Sequence, residues 1–212
     1  MDLAGIPKLA WRERLMIAHQ KTTSNKSIPK NNVFFTLGAS ALSDDSELNH
    51  LVFRGFITPK QYVSTERDHK IHLGNTKIKG PTWLHGQLEK KLLDWFRQPN
   101  MPQKNIAFLN ADIMSGIEVA LPVIKELIDI MYDNNNLPGR ETILAVNVLE
   151  HNRWAENRGY TFSPVYPTIQ KDSCMKRYMR DGLTLIDRFT YENKTVGNGR
   201  GVSQLTTLIF HF

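Results

Sequence analysis

The chain has a single cysteine, Cys174, among its 212 residues. An intramolecular disulfide and a thiolate-based zinc site are therefore excluded, and such sparing use of thiols suits a reducing compartment. No apolar run approaches the ~20 residues that a helix needs to cross a bilayer. The first residues carry neither an apolar signal core nor a small-residue cleavage site, so an intracellular, cytoplasmic location is expected. Gly-Lys-Ser/Thr does not occur, which excludes a Walker phosphate loop. Ser40 stands in Gly38-Ala39-Ser40-Ala41, not in the Gly-x-Ser-x-Gly turn of hydrolases. Repeats and low-complexity segments are absent. Asn193-Lys194-Thr195 fits the glycosylation pattern, but in an intracellular chain it is a chance match.

What is present is ordinary globular composition, 41% hydrophobic and 23% charged, in a length that suits one domain with a sizeable core. Lys and Arg number 27 against 21 Asp and Glu, a formal charge of +6. A basic balance favours a polyanionic partner, nucleic acid above all; a solvated surface with surplus cations is the plain alternative.

The most informative stretch is Asn105 to Glu118. Ile106 to Leu109 is an apolar run of the length of a strand buried on both faces. Asn110-Ala111-Asp112 follows, where such a strand would leave the sheet, and Ser115-Gly116 signals a turn. Ile117, Leu121, Ile124, Leu127, Ile128 and Met131 then repeat at helical spacing. Strand, polar carboxyl end and amphipathic helix make one unit of an open α/β sheet, where ligands bind beyond the carboxyl ends of the strands.

The same grammar recurs along the chain. Residues 1–31 read as a helix, Ile6 to His19, and a polar linker; residues 32–212 read as one domain. Val33–Leu37 is a buried strand, followed by a helix capped by Asp44, Asp45 or Ser46 and stopped at Gly55. Gln61–Thr65 is a second strand, ending in Glu66-Arg67-Asp68. Ile71–Leu73 can be a short strand, though residues 69 to 81 carry little pattern. Leu84, Leu88, Leu92, Trp95 and Phe96 share one helical face, which makes Trp83 and Trp95 core residues before base-stacking platforms. Thr142–Leu149 is another buried strand, interrupted only by Asn147. A basic helix is expected over Thr168–Asp181, and the chain closes in an antiparallel hairpin whose strands contain Leu183–Tyr191 and Leu205–Phe210. His69, His72 and His85 with Asp68 suggest a metal only weakly, because no third ligand is fixed by spacing.

This order, strand-helix units ending in a carboxyl-terminal antiparallel hairpin, resembles that of the class I S-adenosylmethionine-dependent methyltransferases over residues 33 to 212. The resemblance implies an α/β fold: an open, mostly parallel Rossmann-like sheet with helices on both faces. It implies S-adenosylmethionine as cofactor, with the backbone of Gly38, Ala39 and Ser40 against it; only one glycine stands where the family usually has two or three. It places Glu66, with Asp68 as a substitute, on the ribose hydroxyls. It sets Asn110 and Asp112 where members acting on base amino groups carry Asn or Asp followed by two prolines and an aromatic ring; Asn110-Ala111-Asp112-Ile113 lacks both prolines and the ring. Asp112 can serve as a general base, hydrogen-bond the substrate, or cap the next helix. Arg153, Arg158, Lys171, Lys176, Arg177 and Arg180, between the fifth strand and the hairpin, fall near the substrate edge in this scheme and can bind phosphates. Methyl transfer to nucleic acid is the activity expected; a binding protein that keeps the fold and has lost the cofactor is the alternative.

Overall fold

The structure, a computed structural model, describes residues 5–37, 46–98, 105–113, 115–134, 141–152, 156–157, 159–193 and 203–212. Its centre is a seven-stranded sheet of β1 (Asn32–Leu37), β2 (Tyr62–Glu66), β3 (Thr82–His85), β4 (Asn105–Ile113), β5 (Ile143–Asn152), β6 (Thr184–Asn193) and β7 (Ser203–His211), in the order β3-β2-β1-β4-β5-β7-β6. The first five strands run parallel, and β7 lies antiparallel between β5 and β6. This is the Rossmann-like sheet with a carboxyl-terminal antiparallel hairpin that the element order implied.

Seven helices are described: α1 (Gly5–Thr23), α2 (Glu47–Phe53), α3 (His69–Asn75), α4 (Leu88–Phe96), α5 (Ile117–Asn134), α6 (Val165–Lys171) and α7 (Ser173–Arg180). Helices α4 to α7 cover one face through Leu92, Trp95, Ile124, Ile128, Ile169 and Met175. Helices α1 and α2 cover the other through Trp11, Leu15, Leu48 and Leu51. A parallel sheet covered on both sides explains the near-continuous apolar strands.

A bulge in β4 decides which face the polar end of that strand presents. Val33 pairs with Ile106, but Phe34 pairs with Phe108, so Ala107 is an extra residue. Ala107 and Phe108 both enter the core under α1 and α2, where Phe108 stacks on Phe34 at 4.9 Å. Beyond them the alternation resumes: Leu109 and Ala111 face α5, and Asn110 and Asp112 fall on the α1–α2 side.

Four expectations are corrected. Residues 69–75 form a helix, not a strand at Ile71–Leu73, because the Asp68 carboxylate accepts from the amides of Lys70 (2.8 Å) and Ile71 (3.1 Å) and starts α3. The third strand is Thr82–His85, so Leu84 belongs to β3 and α4 begins only at Leu88. The basic helix is two, broken at Asp172, whose carboxylate accepts from the Met175 amide and restarts the chain as α7. β4 runs through to Ile113, so Asn110 and Asp112 lie within the strand, not in a loop after it. Ser46 is the cap of α2, accepting from the Asn49 amide at 3.2 Å. Gly55, at φ +69°, closes that helix with the amide-to-carbonyl pairs Gly55–Val52 and Phe56–Leu51 of a glycine stop. The alternative caps Asp44 and Asp45 lie outside the described residues.

Candidate functional site at the carboxyl edge

The strand order reverses between β1 and β4, and there the carboxyl ends of neighbouring parallel strands diverge into a crevice. Asn110 sits at this point, opposite Thr36, and is fully buried. Its side-chain nitrogen donates to Thr36 Oγ1 (3.3 Å) and to Glu47 Oε1 (3.1 Å). Thr36 precedes the end of β1 and Glu47 opens α2, so one amide ties together the two ends of the segment 38–45. The Asn110 Oδ1, also buried, has no partner among the described residues. Gly38, Ala39 and Ser40, the expected cofactor loop, lie outside the described residues.

Beside Asn110 on the same face is a set of polar groups drawn from six elements. Asn147 of β5, paired in register with Asp112, accepts from Trp11 Nε1 (3.0 Å) and from Thr207 Oγ1 (2.5 Å). Tyr191 of β6 is pushed well above the ordinary tyrosine value, first by burial and then by the charge of Asp112, with Arg12 opposing and Glu47 adding a smaller upward push. Arg12, Glu47 and Asp112 thus act on one phenol, and Arg12 is buried. Sequence reading missed Arg12, Glu47 and Tyr191, which come from a helix, a second helix and an antiparallel strand, and no spacing links them.

On the other side of β1, Glu66 ends β2, and its Oε1 accepts from the Asp68 amide at 2.8 Å. Asp68 is committed to capping α3. The structure brings His69, His72 and His85 together, with ring centroids 5.2 Å apart for both His69–His85 and His72–His85. The His72 pKa is lowered by desolvation and by its two neighbours, with Glu66 opposing. Among the described residues no group of His, Cys, Asp and Glu side chains is placed to hold a metal ion.

Two carboxylates at the carboxyl edge hold Ser163 and Val165. Glu150 accepts from the Val165 amide (3.2 Å) and from Thr206 Oγ1 (2.6 Å). Glu118, in the first turn of α5, accepts from the Ser163 amide (3.2 Å); its pKa is held below the usual carboxylate range first by the Ser163 side chain, then by its own backbone amide, against desolvation, with the Ser163 amide adding a smaller pull. His151 Nδ1 pairs with Glu156 Oε1 at 2.5 Å. Arg153 and Arg158 lie outside the described residues.

The basic residues of α7 lie elsewhere. Helix α7 leads into β6, whose first residue Thr184 pairs with His211 of β7, and His211 pairs with Ile143, the first residue of β5. Lys176, Arg177 and Arg180 are exposed on this helix, which ends with Arg180 near the amino edge, opposite Asn110. The expectation that they lie near the substrate edge is corrected: the crossover from β5 to β6 traverses the whole sheet before α7 ends. Tyr178 anchors the helix there, its hydroxyl donating to Asp129 at 2.6 Å; burial and that carboxylate push its pKa up to about 12.

No protein-family model matches the chain, and no curated protein is detectably similar in sequence. Solved structures are similar in fold. A protein from Pyrococcus horikoshii, provisionally assigned as an RNA methyltransferase, superposes with a TM-score of 0.51 at 10% identity, over 93% of this chain and 83% of its own. The plantazolicin methyltransferase BamL, solved with a desmethyl-plantazolicin analogue and S-adenosylhomocysteine, gives 0.51 at 6% identity, over 98% and 86%. An S-adenosylmethionine-dependent methyltransferase from Anabaena variabilis gives 0.50 at 9%, over 93% and 84%. The fold is that of the class I S-adenosylmethionine-dependent methyltransferases.

Proposed function

We propose that this protein binds S-adenosylmethionine at the carboxyl edge and transfers its methyl group to nucleic acid. The observation that carries the reading is the buried Asn110 amide at the reversal of strand order, joined to the end of β1 and the start of α2, with an unpartnered carbonyl oxygen beside it. That polar tie joins Thr36 and Glu47, the residues that flank the stretch where this fold would place a cofactor.

When bound, the cofactor supplies a methyl group on a sulfonium. The work left to the protein is to hold a nucleophile in line with it, which supplies most of the barrier reduction and needs no elaborate catalytic apparatus. In this reading the Gly38, Ala39 and Ser40 backbone lies against the cofactor, and Glu66 accepts from its ribose hydroxyls. Asn110 positions the loop, and Asp112 meets the substrate and takes up the proton that the nucleophile loses on methylation. The net charge of +6 and the exposed Lys176, Arg177 and Arg180 support a polyanionic substrate. The Pyrococcus neighbour's assignment to RNA agrees with this. From the amino edge these cations would hold phosphates distant from the reacting base.

Calorimetric titration with S-adenosylmethionine and its demethylated product tests the cofactor. Glu66→Gln removes one charge-assisted hydrogen bond and should weaken binding roughly ten- to a hundredfold. Retention on nucleic acid should fall with salt, and Arg177→Ala/Arg180→Ala should flatten that dependence because fewer counterions are released. If the wild type binds no cofactor at millimolar concentration, the non-catalytic reading replaces this one. That second reading draws on the single glycine, Gly38, where the family usually has two or three.

A further inference from the structure

At the opposite edge of the sheet, the carboxyl-terminal turn of α1 and the segment that follows it roof a cavity of about 190 Å3 over the amino ends of β1, β4 and β5. It is lined by polar side chains, among them His19, Thr23, Asn105, Glu141 and Thr142, and among the described residues by no Lys or Arg. The roof is fixed in place: the Gln61 side-chain nitrogen donates to the carbonyls of Ile28, Pro29 and Asn32 at 2.9–3.1 Å.

Two lining residues carry buried polar atoms without a hydrogen-bond partner, His19 Nε2 and Asn105 Oδ1. The chemistry of the first follows from its neighbours. Thr23 Oγ1 gives its one proton to the His19 carbonyl at 2.8 Å, so in its 3.3 Å contact with His19 Nδ1 the ring is the donor. The imidazole is fully buried, set edge-on to Phe56 at 5.3 Å, and its pKa is lowered by that burial, with the Asn25 backbone offsetting part of the shift. A neutral ring with its proton on Nδ1 leaves Nε2 as a bare acceptor. Asn105 Oδ1 is an acceptor by nature. The Glu141 carboxylate, exposed at the rim, is a third. Among the described residues the charged and titratable lining groups are thus His19 and Glu141, and these residues present acceptors without a cation to meet them.

We infer that this cavity is a binding site for a small organic ammonium or amidinium ion with at least two N–H donors. Among the described lining residues no cation is present to hold an anion. The volume equals the share of about six water molecules in the liquid, enough for an amine of a few carbons. The inference is independent of methyl transfer, since the cavity lies at the edge away from Asn110 and Glu66.

The test is an NMR titration of the full-length chain, following the Asn105 side-chain amide and the His19 ring nitrogens. The probe is 1,4-diaminobutane; choline, cationic but without an N–H donor, and sodium chloride are the controls. Saturable shifts with the diamine and none with choline are expected. Asn105→Ala removes one acceptor facing a charged donor and should weaken the diamine tenfold or more, while Glu141→Gln weakens it less. Affinity should also fall as pH drops through the His19 transition, because a protonated ring no longer accepts. Amide spectra of the two variants establish that they are folded. Equal shifts with choline, an unchanged affinity in folded Asn105→Ala, or no saturation at tens of millimolar diamine would mean that the cavity holds only water, and each overturns the inference.

Discussion

Replacing Asn147 by Leu should cost stability out of proportion to so conservative a change in volume. Asn147 is 1% exposed, and its single carbonyl oxygen receives both the Trp11 indole N–H and the Thr207 hydroxyl. In Asn147→Leu both buried donors lose their acceptor, at ~1–3 kcal/mol each. Part of this is returned, because the Asn147 side-chain nitrogen is itself buried without a partner and disappears with the substitution. The net loss is about 1–3 kcal/mol, which for a chain of this size lowers the melting temperature by roughly 2–12 °C. Thermal unfolding followed by circular dichroism reads this directly. Trp11→Phe removes one of the two donors and should cost about 1 kcal/mol plus the lost ring area. Because the two residues share one bond, the double variant should be less destabilised than the sum of the singles, by about 0.5–1.5 kcal/mol. Strict additivity, or a neutral Asn147→Leu, would refute the claim that this carbonyl fastens α1 to the sheet.

Three further outcomes are expected. Asp172 meets an opposing effect of burial, but the bonds from Lys125 Nζ (2.6 Å) and the Met175 amide hold its pKa below the ordinary carboxylate value. The stability it contributes is therefore present above that ordinary value and is lost as pH falls through the lower, folded one; Asp172→Asn should remove this part of the acid dependence and cost about 1 kcal/mol at neutral pH. A Cβ at Gly80, where φ is +111°, would lie 2.9 Å from the Pro59 Cβ, whereas one at Gly55, φ +69°, meets nothing within 4 Å. Gly55→Ala should thus cost only the left-handed backbone penalty of about 1–2 kcal/mol, and Gly80→Ala more; urea midpoints that rank them the other way would contradict this.

Much of the fold could be read from residues alone, and for a definite reason. Strands such as Val33–Leu37 and Thr142–Leu149 are buried on both faces, so their apolar runs are local and self-announcing. The stripe of α5 and the stop at Gly55 are equally local, since each depends on neighbours within a turn or two. The reading failed where tertiary context outweighed local pattern. His69–Asn75 is helical because one carboxylate caps it, and Thr82–His85 is a strand only because the edge of β2 is there to pair with it. The Thr168–Asp181 pattern splits because the Asp172 carboxylate, held also by Lys125 of α5, accepts from the Met175 amide and starts a new helix.

The candidate sites divide in the same way. That a crevice would form past the carboxyl ends of parallel strands followed from element order, and Glu66 and Asn110 were named from their places at those ends. Which face Asn110 presents was decided by the extra residue at Ala107, a register shift against β1 that no sequence pattern marks. The gathering of Arg12, Glu47, Asp112 and Tyr191, and the placing of His19 and Asn105 around one cavity at the far edge, join residues dozens of positions apart. Sequence fixes periodicity and chemistry within a few residues; only the packed sheet brings distant polar groups to one point and leaves some of their atoms without partners.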